Sequence, residues 1–463
     1  MTRRQICKVC SGVFLLAGAL SCLAFPDAVR AQGDARHDLP HPLKIKSFSV
    51  GPDEKLIYPD TLFNLPDEHT TFIPLRGPKY LSSVADADTD TYLVFASAAT
   101  RGGTGGTVVL QTRDLKTFDF ATAEGYADQV MNPPLAITTC ISADHINYDN
   151  EFDENYSAPG SVVQDPTLPP GNLIMIYEAE NHCPGMNWQV PFYATVGLAK
   201  SRDNGRTWPG PVNSEFGGPN RHPVLKGVDP EPPYEKTPVN IGDAIPSALV
   251  DRNDRNETYL YVVYTYSPGS DGTDDGQIRI ARAKFDEDDH AFGEDRWHSD
   301  GDNHQLEFMK WHKGGFSEPG IGGLDTGVVP ASSECVARHM PDISYNDDLG
   351  LYLMIFICNP IPDNGTAAWY YSTATSLDLQ DWTEPQMIEH SRHKVYRPCK
   401  SSEAEAAPSG DGSQFNGFHP LFMSPGAEVG HTKLTGRVFF LNGCDNGLPR
   451  TFTSRTFTIT TEP

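Results

Sequence analysis

Positive charge is scarce in this chain of 463 residues, which has 36 lysines and arginines against 61 aspartates and glutamates and a formal net charge of -25. A field of that sign repels DNA, RNA and anionic lipid, so neither a nucleic acid nor a membrane surface is expected as a partner. It also disfavours strongly anionic polysaccharides, although one basic pocket can lie within an acidic surface. Long apolar runs are missing too. After the first 31 residues, no segment reaches the roughly 18 apolar residues of a membrane-spanning helix.

The start of the chain has the three parts of an export signal. Basic residues between positions 3 and 8 precede an apolar stretch at 13–23 and a small-residue cleavage site at 29–31. We therefore expect a signal peptide over residues 1–31 and a secreted or periplasmic mature chain, residues 32–463. The leader carries four basic residues and one acidic residue, so its removal lowers the net charge to -28.

Five hydrophobic segments of similar length recur along the mature chain. They begin at Tyr92, Leu173, Tyr259, Tyr352 and Val438, with steps of 81, 86, 93 and 86 residues. Each follows a short strand with an acidic turn and precedes a third strand, and we call the three strands of a unit A, B and C. Such periods predict four-stranded blades with long insertions, and hence an all-β, five-bladed β-propeller.

The last unit and the first part of the mature chain are predicted to complete each other. After strand C of the fifth unit the chain ends at Pro463, without room for a fourth strand. The run 43–50 alternates as a half-buried strand should, so it is predicted to supply the missing outer strand and close the ring. The mature chain is thus expected to be one catalytic domain, and a monomer.

One turn has a distinctive sequence, SRDNGRTW, at residues 201–208. Ser201 and Asp203 can accept hydrogen bonds from the amides of the turn, Gly205 can adopt a positive φ, and Trp208 can pack beneath the sheet. These properties predict a structural role for the turn. The octet resembles the Asp-box of sialidase-like propellers.

Antiparallel order brings the starts of strands A and the ends of strands B to one face of the fold. The turns between A and B lie on the other face, and the acidic turns at 86–90, 251–254 and 346–348 are expected to be solvated. Strand A of the first unit is predicted to begin near Leu81. Solvation of the acidic turns is favoured over calcium binding, and the loop Ser270 to Gly276, expected on the first face, is a further candidate for calcium. Its spacing is not that of an EF-hand, and no other cofactor is expected.

Six cysteines remain after the leader, an even number that suggests disulfides in an exported protein. In three units one cysteine precedes strand A and one ends strand B. The predicted pairs are Cys140 with Cys183, Cys335 with Cys358, and Cys399 with Cys444.

Several carboxylates fall on the same face, and glycosidic cleavage needs two of them. One must be protonated to serve the leaving oxygen, while the other is ionised as a base or nucleophile. The catalytic candidates are Asp243, Glu334 and Glu180. The candidates for substrate binding are Asp144, Glu178, His182, Arg338, His339, Asn416 and His419. No histidine spacing indicates a metal site, and none is predicted.

Three segments resemble five-bladed glycoside hydrolases of the arabinanase/xylosidase group and the invertase/fructosidase group. They are GDAIPSALVDRNDRNETYLYVVYTY at 242–266, SECVARHMPDI at 333–343 and YSTATSLDLQDWTEP at 371–385. The resemblance implies three carboxylates from the first three blades acting on a sugar. The first unit has residues 77–80 where those families place an aspartate, so Glu180 or Asp144 would take that part.

The sequence thus predicts a secreted glycoside hydrolase acting on a poly- or oligosaccharide, with a furanoside as one candidate. Three alternatives remain open. The Asp-box and the arginines suggest a sialidase-like exo-glycosidase, and a propeller polysaccharide lyase would use tyrosine and histidine instead of paired acids. A propeller that binds carbohydrate without cleaving it is the third.

Overall fold

The computed structural model describes the chain in eighteen segments, all within the compact unit His41–Pro463. They are residues 42–59, 72–75, 92–98, 106–127, 130–131, 152–153, 156–181, 193–208, 221–227, 241–253, 256–268, 276–285, 307–346, 349–359, 368–389, 418–423, 433–442 and 451–462. These segments are all-β apart from one short 3-10 turn at Ala121–Glu124. None of their helical structure is long and apolar enough to cross a membrane. The predicted signal peptide lies outside them.

The strands of these segments follow the repeat closely. In chain order they are β1 (Ile45–Lys55), β2 (Phe72–Leu75), β3 (Tyr92–Ala98), β4 (Gly106–Thr112), β5 (Asp119–Phe120), β6 (Tyr156–Gln164), β7 (Leu173–Asn181), β8 (Tyr193–Ser201), β9 (Arg221–Leu225), β10 (Ile241–Arg252), β11 (Thr258–Pro268), β12 (Gln277–Lys284), β13 (Phe308–His312), β14 (Gly315–Pro319), β15 (Ala337–Asn346), β16 (Leu351–Asn359), β17 (Ala368–Ala374), β18 (Gln386–Met387), β19 (Phe418–Met423), β20 (Lys433–Asn442) and β21 (Thr451–Thr461). The predicted strands B and C of every unit are present.

These strands form four sheets in the described segments. The first unit is β2 to β5, the fourth is β15 to β18, and the fifth is β19 to β21 with β1 at its edge. The second and third units, β6 to β9 and β10 to β14, share a nine-stranded sheet. They are joined where β8 and β10 run parallel over two residues. Within each unit consecutive strands pair antiparallel, which is why the chain alternates between two faces.

The edge strand of the fifth unit comes from the N-terminal part of the chain, as predicted. β1 pairs antiparallel with β21, with Phe48 opposite Ile459 and Val50 opposite Phe457. Phe48 is 2% exposed and packs against Tyr371 of the fourth unit, with ring centroids 5.2 Å apart. Burial of such a side chain contributes roughly 1.5 to 3 kcal/mol, so β1 is an integral part of the sheet.

The described segments hold five buried apolar clusters, and each cluster takes side chains from two units. Pairs that share a cluster are Phe95 with Tyr177, Ile176 with Leu260, Val263 with Phe356, Ile355 with Phe440, and Phe439 with Val94. Neighbouring residues of one strand point to opposite faces, which is why Ile176 and Tyr177 belong to different clusters. The fifth unit therefore packs against the first as well as against the fourth.

Two predictions about the strand A regions are wrong. The strand that pairs with β3 is Phe72–Leu75 and does not begin near Leu81. Pro74 interrupts this short apolar run, and a proline lowers the strand signal of a sequence. Asp251 was expected in a solvated turn, but it is 4% exposed and accepts a hydrogen bond from Tyr352 of the next unit. Only the packing of two units buries it.

The turn at residues 201–208 forms the hydrogen bonds expected for it. The Ser201 hydroxyl accepts from the Gly205 amide at 2.8 Å, and Asp203 accepts from the Thr207 amide at 2.9 Å. Gly205 has a φ of 79°, and the Trp208 indole donates to its carbonyl oxygen at 3.0 Å. Trp208 is 3% exposed, so the turn anchors a large apolar side chain beneath the sheet.

A turn after β4 makes the stability of the protein depend on pH, through the carboxylate of Asp114. The Thr117 amide, helped by the Lys116 amide and the hydroxyls of Thr117 and Thr112, donates to Asp114 and lowers its pKa to about 2. The stabilisation is complete above the unfolded pKa near 4 and is lost as the pH falls through about 2. We expect the melting temperature of Asp114→Asn to lie below that of the wild type at pH 6 and to approach it near pH 2. Asp119→Asn, an exposed change on β5, should not show this convergence.

The predicted disulfide between Cys335 and Cys358 is present, with a Cα–Cα distance of 5.0 Å. It ties the residues before β15 to the end of β16. The other two predicted pairs, Cys140 with Cys183 and Cys399 with Cys444, lie outside the described residues.

Removal of this disulfide should lower the free energy of unfolding by about 3 kcal/mol. The two cysteines are 23 residues apart, and opening a loop of that length returns this much chain entropy to the unfolded state. Urea unfolding of the double variant Cys335→Ala, Cys358→Ala measures the loss. A change below about 1 kcal/mol would mean that the bridge does not constrain the chain.

Candidate functional site

The first strand of four units contains the same irregularity. The pairing register shifts between Pro159 and Ser161 in β6, and equivalent shifts occur in three other first strands. These are Ala244 to Ser247 in β10, His339 to Asp342 in β15 and Phe418 to Leu421 in β19. Each shift includes a proline, and this recurring proline is the signal that the sequence reasoning missed. Such bulges are frequent next to active sites, where they redirect side chains.

The bulges of β10 and β15 contain strained backbone. Ile245 has a φ of 52° and Met340 a φ of 55°, and both precede a proline. A β-branched residue with positive φ is a genuine outlier, and such strain concentrates at functional sites. Asp243 and Arg338 each stand two residues before the strained position. They therefore occupy equivalent places in adjacent units.

Asp243 is completely buried and has an ion-pair partner. Its Oδ2 accepts a hydrogen bond from Lys310 Nζ at 3.0 Å, and Lys310 is also 0% exposed. Its Oδ1 has no hydrogen-bond partner in the described part of the chain. Lys310 Nζ also donates to the carbonyl oxygen of Lys226 at 3.0 Å. One carboxylate oxygen is thus held in place, while the other is buried without a hydrogen-bond partner in the described segments.

A second carboxylate completes the network around Lys310. Asp325 lies 3.7 Å from Lys310 Nζ, accepts from the Tyr264 hydroxyl at 2.6 Å and forms an ion pair with Arg279. Burial, together with the charge of Asp243, raises the pKa of Tyr264 well above its usual value, so Tyr264 remains a donor. This network could not be predicted from local sequence, because Lys310 and Asp325 follow β12 and come near Asp243 only in the folded chain.

Glu180 lies in register with Gly242, the residue before Asp243. It pairs with Ala194 of β8, and Ala194 pairs with Gly242 of β10. Gly242 has a φ of +121°, and a Cβ there would lie 2.1 Å from the Ala194 carbonyl oxygen, so glycine permits this close approach. Two strand spacings place the backbones of Glu180 and Gly242 roughly 10 Å apart. Glu180 and Glu178 are each 2% exposed.

Glu334 occupies a different environment from the other two catalytic candidates. Its side chain is exposed, and its carbonyl oxygen accepts from the Tyr370 hydroxyl at 3.1 Å. The structure therefore brings Asp243 to Lys310, and it aligns Glu180 with Gly242, next to Asp243. Glu334 stands beside the disulfide at Cys335.

The remaining candidates divide into two groups. Arg338 is 5% exposed and His339 is half-buried at the start of β15. Asp144, His182, Asn416 and the side chain of His419 lie outside the described residues. The described segments contain no cluster of three or more histidine, cysteine, aspartate or glutamate side chains suited to a metal ion. Of the candidate calcium loop they include only Gly276.

Comparison with known proteins gives distant structural likenesses alone. No family model matches the chain, and no curated protein matches it. Among solved structures it is similar to the catalytic domain of a Coprinopsis cinerea GH62 alpha-L-arabinofuranosidase, with 12% identity over 91% of this chain and 98% of that one, and a TM-score of 0.41. An endo-1,5-alpha-L-arabinanase from Thermotoga petrophila has 12% identity over 89% of this chain and 76% of that one, with a TM-score of 0.41.

An N-acetylgalactosamine deacetylase from F. plautii, in complex with blood group B trisaccharide, is similar to the same degree. It has 12% identity over 91% of this chain and 95% of that one, with a TM-score of 0.44. The matches therefore include members of the group that the sequence resembles, together with an enzyme of another reaction. At these similarities they do not decide what this chain does.

Proposed function

We propose that this chain is a secreted glycoside hydrolase that cleaves a poly- or oligosaccharide with two buried carboxylates. The observation that carries the proposal is the environment of Asp243. It is fully buried, one oxygen is held by Lys310, and the other is without a hydrogen bond in the described segments. A fixed carboxylate with one oxygen free of hydrogen bonds suits the base or nucleophile of glycosidic cleavage, once substrate reaches it.

The proposed scaffold is a five-bladed propeller closed by β1. The five apolar clusters support it, because each lies between successive units and one lies between the fifth unit and the first. The direct contact of Phe118 with Phe439, with ring centroids 6.2 Å apart, joins those two units. A ring of this kind places the starts of all strands A around one axis. Asp243 and Arg338 would then face a common axial pocket.

In the proposed reaction Asp243 acts as the ionised base or nucleophile, and Glu180 acts as the general acid. Lys310 holds Asp243 and provides the positive charge beside it. Glu180, which is 2% exposed and in register with the residue before Asp243, would protonate the leaving oxygen, and Glu334 is the second candidate for that role. The separation of the two carboxyl groups would decide between retention and inversion.

To test the proposal, the mature chain is incubated with a panel of arabinan, xylan and other oligosaccharides. The appearance of new reducing ends is then measured. We expect wild type to release them and Glu180→Gln to lose most of this activity, since general acid catalysis contributes about 10²- to 10⁴-fold. Binding without release by wild type would identify a carbohydrate-binding protein. Unsaturated uronate products would identify a lyase.

A further inference from the structure

Among the described residues, no carboxylate balances the charge of Arg338. Its side chain is 5% exposed, and its Nη1 donates to the carbonyl oxygen of Cys335 at 3.4 Å. Its Nε has no hydrogen-bond partner in the described segments, where no carboxylate lies within ion-pair distance of the guanidinium. Buried charges in proteins are normally paired.

Burial lowers the pKa of the Arg338 guanidinium, because the charged form loses its contact with water. Two other buried cations differ from Arg338 in having a carboxylate partner. Arg221 contacts Asp153 at 3.3 Å, and Lys310 contacts Asp243 at 3.0 Å. An arginine that keeps five donors in a dry site, without an anion of its own, is suited to receive one.

Arg338 lies at the same end of the strands as Asp243. The Arg338 amide donates to the carbonyl oxygen of Gly276 at 2.8 Å, and the next residue, Gln277, pairs with Tyr266. Tyr266 pairs in turn with Asp243. A short path across neighbouring strands therefore connects the arginine with the candidate catalytic carboxylate.

We infer that Arg338 binds an oxyanion of the substrate, so that the sugar recognised here carries a carboxylate or a sulfate. The inference rests on the proposed function, since it assigns a substrate class to that same site. The planar guanidinium binds either anion through two parallel hydrogen bonds. The net charge of -25 does not oppose this, because a single buried arginine can hold one anion within an acidic surface.

Calorimetric titration with matched sugars tests the inference on the Asp243→Asn protein, which is expected to bind without turnover. The pairs are galactose with galacturonate and glucose with glucuronate, which differ only at C6, and galactose 6-sulfate is the third arm. We expect the anionic sugars to bind at least 10-fold tighter than the neutral ones. Preference for the uronates alone identifies a carboxylate site, and preference for the sulfate alone identifies a sulfated sugar.

Arg338→Met in the same background should abolish the preference, a loss of roughly 10- to 100-fold for a charged hydrogen-bonded pair. Arg338→Lys keeps the charge and should retain part of it. The melting temperature of the methionine variant should stay level or rise, because an unpaired buried charge has been removed. Equal binding of neutral and anionic sugars to Asp243→Asn would overturn the inference and leave the proposed hydrolysis standing. A lower melting temperature with loss of all sugar binding would show that Arg338 is structural.

Discussion

Replacement of Asp243 by asparagine should lower kcat by about 10³- to 10⁴-fold, the range seen when a residue acting directly in the chemistry is lost. Asparagine has nearly the same shape and retains an oxygen that can accept from Lys310. It lacks the charge needed to activate water or to attack the sugar. KM should change much less than kcat, because the substrate can still enter and bind.

The matched control for this change is Asp165→Asn. Asp165 is also buried, at 3% exposure, and pairs with Lys200 at 3.6 Å, but it follows β6 at the opposite end of strand A. Both variants should lose roughly 1 to 3 kcal/mol of stability, the usual result of weakening a buried charged hydrogen bond. Only Asp243→Asn should lose turnover. Equal losses of activity in both would attribute the effect to stability, and the catalytic assignment would fail.

Replacement of Lys310 by methionine should have the largest effect on stability, a loss of about 3 to 5 kcal/mol. Lysine and methionine are similar in length, so packing around Tyr264 is largely kept. The change removes the cation that lies 3.0 Å from Asp243 and 3.7 Å from Asp325, both in buried positions. A buried carboxylate without its partner is strongly unfavourable. Urea unfolding measures the difference.

Two further variants show whether the loss comes from the charge. Lys284 forms an exposed ion pair with Glu257 at 2.6 Å, so Lys284→Met should cost less than about 1 kcal/mol. The double variant Lys310→Met, Asp243→Val removes both charges and should be more stable than Lys310→Met alone. If the double variant is less stable than Lys310→Met, the lysine stabilises the protein through packing, and the ion-pair explanation is wrong.

Only some residues of the candidate site could be predicted from the sequence. Asp243 and Arg338 could be selected because strand A positions follow from the repeat and the alternation of strands between two faces. Lys310 could not, since it is 67 residues from Asp243 and stands on another strand of the unit. Glu334 was also selected from its sequence position, whereas only the strand register shows that Glu180 is aligned with Gly242, next to Asp243.

By itself the sequence determined strands B and C of every unit, the turn at 201–208, the pairing of Cys335 with Cys358 and the use of 43–50 as an edge strand. Each of these depends on local patterns of apolar, turn-forming or cysteine residues, which act over a few positions or recur at a fixed period. The tertiary structure alone decided which charges became buried and which of them were paired. Burial of Asp251, the contact of Lys310 with Asp243 and the unbalanced charge of Arg338 all arise where strands distant in sequence pack together. Desolvation there changes the energy of a charge far more than its neighbours in sequence do.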